Sequence, residues 1–434
     1  MKTPIFDFVK SYADKNPSRL HMPGHKGAEL LGCEKYDITE ISGADSLFEA
    51  SGIIKESEEN AAELFGALRT LYSTEGSTQS IKAMVYLALK NRKVTDTKPV
   101  IAATRNAHKS FVYACALLDI DIFWIYGRSD KFSLCECGVT AEDIDNAIKE
   151  SDAFAVFVTS PDYLGNMLDI KAFSDTAHKH NIPLLVDNAH GAYLAFLEQN
   201  RHPIALGADM CCDSAHKTLP VLTGGAYLHI NNKDFANDGK AALSLFCSTS
   251  PSYLTLASLD LANKYLIEDY GKRLCELIKK LNKLKEALRG RGFTVLDTDP
   301  LKLTVKNGGI ALSRRLKEYN CEAEYESPDF TVLMFTPENE DKDFIAIENA
   351  LTAPPSLKDN GLLAVRPKAV CSPRAALFSK SEEVNTEDAC GRVLADVSVS
   401  CPPAVPILVS GEEISEDSIN IFRYYGIKKI KVIK

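Results

Sequence analysis

The sequence predicts an α/β protein with a largely parallel sheet, and three observations carry that prediction. Short apolar runs recur at PVIAAT, DIFWIY, AFAVFVTS, IPLLVD and ADMCCD. Several are separated by helix-like segments such as AEDIDNAIKE and IKAFSDTAHKH. The runs are apolar throughout rather than alternating, as strands covered on both faces by helices must be.

With 434 residues the chain exceeds what one core usually holds, so at least two packed units are expected. Apolar residues at 45% and charged residues at 25% match a globular chain and leave little room for disorder. The opening MKTPIFDFVKSYADK carries Asp7 and Lys10 where an export signal needs an apolar core. No later run approaches the roughly 18 apolar residues of a membrane span, so a cytoplasmic protein without membrane contact is expected. The 12 cysteines are scattered and read as reduced thiols, and Cys135-x-Cys137 lacks the second pair a zinc site would want, so no metal is expected. A formal charge of −9 argues against a nucleic-acid partner.

Along the chain, residues 1–54 form an irregular, glycine-rich opening that includes HMPGHKG. Residues 55–68 read as a helix with apolar positions at Ala61, Leu64, Phe65 and Leu68. The strand TLYS then runs into the loop TEGST, and from Thr78 a helix presents Ile81, Met84, Val85, Ala88 and Leu89 on one face. A long amphipathic stretch from about Ser258 to Leu288 ends at GRG, where glycine suits a helix stop. Beyond it FTVLD, LKLTV, TVLMF and KDFIAIENAL read as a smaller α+β domain. The expected organisation is a segment 1–54 near the site, a large domain 55–290 and a small domain 291–434, with Ala353 to Pro373 as a connection.

Three features fall at strand ends, where α/β sheets place ligands. Gly76, Ser77 and Thr78 form a small-residue turn at a helix start, whose free amides suit a phosphate or merely cap the helix. Asp187 closes IPLLVD, where a buried carboxylate can hold a proton on a heterocyclic nitrogen or cap a turn. Ser214-Ala215-His216-Lys217 follows ADMCCD, and a partly desolvated lysine there can form an imine with an aldehyde. Each alone is ordinary. In this order they specify a cofactor with a phosphate, a protonatable ring nitrogen and an imine-forming carbon.

At these residues the chain resembles the ornithine/lysine/arginine decarboxylase family, fold-type-I pyridoxal-phosphate enzymes, in the short bacterial form. The resemblance runs through HMPGHKG, DITEISGADSLFEASGIIKE, EGST, RNAHKS, TSPDYLGN, DNAHGA and DSAHKTLPVLTGGAYLHI, then SPRAA and the run from Gly391 to Glu413. It implies an aminotransferase-like fold and pyridoxal 5'-phosphate held as a Schiff base on Lys217. It further implies that Asp187 pairs with the pyridine nitrogen, His108 stacks on the ring and His190 sits beside it. Ser77, Thr78, Ser214 and His216 would surround the phosphate, with Gly76 allowing close approach, and Lys217 or His216 would return a proton to the substrate carbanion. The implied activity is decarboxylation of lysine, arginine or ornithine, as in polyamine biosynthesis, by a homodimer or larger homo-oligomer. Transamination, elimination, racemisation or a non-catalytic regulatory role are the alternatives, since one fold and lysine serve many outcomes.

Four positions depart from the family pattern: Glu75, Asn188, Tyr193 and Gly224 stand where asparagine, glutamate, histidine and glutamine are usual. Glu75 and Asp45 are candidates to neutralise a substrate's distal amine.

Overall fold

The computed structural model describes residues 1–306, 308–356, 361–397 and 404–434. Part of the connection after Ala353 and residues 398–403 of the run from Gly391 to Glu413 lie outside the described residues. Two compact units emerge, Met1–Val94 with Ile170–Arg273, and Thr95–Asp169 with Leu274–Lys434.

The first seven strands are β1 (Arg69–Ser73), β2 (Val100–Thr104), β3 (Asp121–Ile125), β4 (Val156–Thr159), β5 (Leu184–Asp187), β6 (Met210–Asp213) and β7 (Ala226–Ile230). In the first unit the order is β1-β7-β6-β5, with β5 and β6 parallel and β7 antiparallel to both its neighbours. In the second unit the order is β4-β2-β3, all parallel. The five apolar runs read from the sequence are thus β2 to β6, in a mainly parallel sheet flanked by helices. β5 and β6 are buried along their whole length, because helices cover both faces.

Three helices differ from the sequence reading, and the first is the α-helix Pro4–Lys15 inside the opening read as irregular. The helix expected over 55–68 spans Ile53–Phe65 and stops at Gly66, whose left-handed backbone at φ +66° closes it. Leu68 therefore lies beyond the helix and is exposed. The long amphipathic stretch is two α-helices, Tyr253–Tyr265 and Gly271–Gly290, joined through a π turn over Leu266–Tyr270.

The second unit also carries an antiparallel sheet in the order β10-β11-β9-β8, from β8 (Thr294–Val295), β9 (Lys302–Lys306), β10 (Tyr325–Glu326) and β11 (Phe330–Met334). Helices Gly309–Glu318 and Asp341–Ala350 belong to it, which gives the α+β character expected of the C-terminal part. A two-stranded ribbon of β12 (Ser381–Asn385) and β13 (Lys429–Ile433) completes it. Here Val332, Leu394, Leu408, Phe422 and Val432 pack into one buried cluster.

Within the described residues no helix is long and apolar enough to cross a membrane, and all cysteines are free thiols.

Candidate active site

The turn after β1 shows why this local sequence makes a cradle. Ser73 Oγ lies 2.6 Å from Gln79 Oε1 and accepts from the Glu75 amide at 3.2 Å, which bends the chain into the helix Gly76–Asn91. Gly76 holds φ at +71° and no atom lies within 4 Å of where a Cβ would stand, so the space above it is open. Its amide donates to Gly224 O at 2.8 Å. Gly224 itself sits at φ +94°, and a Cβ there would come 2.8 Å from Thr74 O, so glutamine could not occupy this backbone unchanged. Ser214 Oγ donates to Ser77 Oγ at 2.8 Å, which brings two predicted phosphate hydroxyls together. Glu75 is exposed at the helix cap.

Asp187 ends β5 and is buried. Its Oδ1 accepts from the Ala189 amide at 3.2 Å and from Cys212 Sγ at 3.6 Å. Burial pushes its carboxyl above the usual range, and the Lys217 cation pulls it back. Lys217 lies on the short helix Ala215–Thr218, half-buried, with Nζ 3.1 Å from His190 Nε2. An ammonium can donate there only to a neutral imidazole bearing its proton on Nδ1. His216 Nδ1 lies 3.0 Å from Gly225 O, which anchors its ring to the strand-entry loop. The first unit therefore contains Gly76, Ser77, Thr78, Asp187, His190, Ser214, His216 and Lys217.

His108 belongs to the second unit. It caps the helix Lys109–Leu118, its Nδ1 accepting from the Ser110 amide at 3.1 Å. Asp45, considered for a substrate amine, has its carboxylate engaged by the amides of Ser46, Ser51, Gly52 and Ile54. Those four donors hold its pKa below the usual range although burial opposes them.

Sequence reasoning missed a buried cluster beside these residues. Asp213 Oδ2 lies 3.0 Å from His202 Nε2 and 3.1 Å from His229 Nε2, and Asp213 Oδ1 accepts from Asn188 Nδ2 at 2.6 Å. The signal was available: alternation along β6 turns Cys211 and Asp213 to one face and Cys212 toward Asp187. His202, Cys211 and Asp213 also bring ligand-type atoms within 4.8 Å of one another. His202 Nδ1 accepts from the Ile204 amide at 3.4 Å, however, which leaves the ring proton on Nε2, directed at Asp213. The cluster is a hydrogen-bonded carboxylate, with the nitrogen a metal would need already protonated.

The chain is 30% identical to an arginine decarboxylase of Bacillus subtilis across 96% of its own length and 92% of the relative. It superposes on a lysine decarboxylase of Francisella novicida with a TM-score of 0.83 at 18% identity, covering 100% of this chain and 81% of the other. It also superposes on a structure described as SPT with PLP at a TM-score of 0.57 and 13% identity, over 79% and 82% of the two chains. Residues 3–307 match the major domain of the Orn/Lys/Arg decarboxylases and residues 360–430 match their C-terminal domain. The chain belongs to the Orn/Lys/Arg decarboxylase family.

Proposed function

We propose that the protein is a pyridoxal-phosphate-dependent decarboxylase of a basic amino acid, with Lys217 as the amine to which the cofactor aldehyde is joined. The observation that carries this reading is the convergence, within one unit, of Lys217 3.1 Å from His190, the buried Asp187 and the open turn at Gly76. Family membership supplies the reaction class.

The residues present fit the cofactor. The unfilled space over Gly76 and the hydroxyls of Ser77 and Ser214 suit a phosphate at a helix start. A buried carboxylate with raised proton affinity suits a pyridine nitrogen. When bound, the cofactor would supply an electron sink for the bond broken at the substrate α-carbon. Asp187 would keep a proton on the ring nitrogen. His190 Nε2 would accept a proton from Lys217 and so free its amine. Lys217 or His216 would deliver a proton to the α-carbon after carbon dioxide leaves. Thr78 would join the phosphate contacts and His108 would lie against the ring.

Arginine is the first substrate to test, because the Bacillus subtilis relative is an arginine decarboxylase; lysine and ornithine follow. The reading extends to a cytoplasmic homo-oligomer serving polyamine formation, and to the division into 1–54, 55–290 and 291–434. The test is carbon dioxide release from the three amino acids, with the imine absorbance band of wild type and Lys217→Ala. A band that depends on Lys217, with release from one substrate, is expected. A normal band without release would move the reaction to another class, and no band would overturn the reading.

A further inference from the structure

Asp213 is fully buried, and its neighbours are arranged for a negative charge. His202 Nδ1 accepts from Ile204 N, and His229 Nδ1 lies 2.8 Å from the Thr70 hydroxyl, so each ring can turn an Nε2–H toward Asp213 while neutral. Burial pushes the His229 pKa down, which agrees with a neutral ring. Burial opposes ionisation of Asp213, while the charge that His202 and His229 carry when protonated, together with their hydrogen bonds, favours it and holds the carboxyl well below the usual range. Tyr227, Cys211, Cys212 and Asp187 are further titratable groups that interact electrostatically with this carboxylate.

The third donor is the informative one. Asn188 directly follows Asp187, and Asp213 directly precedes Ser214 on the turn that carries Lys217. Asn188 is tied to the end of β6 twice, by its amide to Cys212 O at 3.0 Å and by Nδ2 to Asp213 Oδ1 at 2.6 Å. The side chain cannot be reversed without facing one oxygen with another. Its Oδ1 is buried, makes no hydrogen bond and lies 2.0 Å from where a Cβ on Gly191 would stand. Asn188 O accepts from the Gly191 amide at 2.8 Å, closing the turn that contains His190. One side-chain amide thus ties the turn that follows Asp187, and that contains His190, to Asp213.

We propose that Asp213 is a positioning residue: anchored by His202 and His229, it fixes the Asn188 amide and thereby the orientations of Asp187 and His190 toward cofactor and Lys217. This rests on the reading of Asp187 and Lys217 as cofactor residues. Asn188, which departs from the family pattern, is then a matched partner of Asp213.

The test uses the full chain loaded with pyridoxal phosphate. The imine band is titrated against pH for wild type, Asn188→Ala, Asp213→Asn and the double variant, alongside thermal unfolding. Asn188→Ala leaves Asp213 its two histidine donors. It is expected to move the titration midpoint by about half a unit or more and to weaken cofactor binding about tenfold, with little change in unfolding temperature. Asp213→Asn should move the midpoint the same way, and the double variant no further than Asp213→Asn alone. If Asp213→Asn does not fold, Asn188→Ala decides by itself. A wild-type midpoint and affinity in the folded variants would overturn the positioning role while leaving the proposed function intact. A wild type with no Lys217-dependent band would overturn both.

Discussion

Lys217 Nζ stands 3.1 Å from His190 Nε2, and His190 lies in the turn that follows Asp187. An amine and an imidazole are thereby delivered from two neighbouring strand ends. His190→Ala should lower kcat about a hundredfold, the scale of one lost proton-transfer partner. The cofactor should stay attached to Lys217, as mass spectrometry after borohydride reduction will read. Unchanged kcat would remove His190 from the chemistry.

Gly191→Ala tests the packing of the same turn. The added Cβ would stand 2.0 Å from Asn188 Oδ1 and 2.8 Å from Leu194 Cδ1, so the turn must shift. A stability loss of about 1 to 3 kcal/mol is expected, the usual cost of overpacking. Chemical denaturation measures it, and an unaltered midpoint would mean that the turn yields freely.

Gly76→Ala separates strain from space. A methyl group meets nothing within 4 Å, but φ of +71° is unfavourable for any residue with a Cβ. A cost of about 1 kcal/mol is expected from the backbone alone. Cofactor affinity should fall further than stability does, because the methyl group would occupy the approach to a phosphate. Equal losses in a binding titration and in denaturation would argue against a phosphate there.

Asp260 predicts a pH dependence. Burial raises its pKa to about 6, opposed by hydrogen bonds from Ser57, Phe6 N and Ile5 N. The folded chain therefore binds this proton more tightly than the unfolded chain. Its contribution is fully present below the unfolded value of 3.8 and is lost as pH rises through about 6. Asp260→Asn should flatten the stability profile between those values. A variant profile parallel to wild type would refute the assignment.

The Arg105–Glu412 ion pair makes a fluorescence prediction. Arg105 Nη2 meets Glu412 Oε2 at 2.8 Å with Glu412 only 3% exposed, and the guanidinium lies 4.8 Å from the ring of Trp124, the one tryptophan of the chain. Glu412→Ala strands the cation, which should cost about 3 kcal/mol and shift the emission of Trp124. Unchanged emission would show that Arg105 keeps its place without the carboxylate.

The sequence by itself determined the parallel sheet and the strand-end positions of Asp187 and Lys217. Apolar runs of strand length and glycine-bearing turns are local signals, and each survived folding to within a few residues. Tertiary structure decided what local pattern does not encode. Gly66 ended a helix whose apolar spacing ran on to Leu68, because a left-handed backbone overrides periodicity. β7 entered the sheet antiparallel, a matter of chain path rather than composition. His202, Asp213 and His229 met because strand pairing and a returning loop brought them together, and Asn188 acquired its partner only there. Contacts between residues far apart in the chain depend on geometry in three dimensions, and no spacing along one dimension records them.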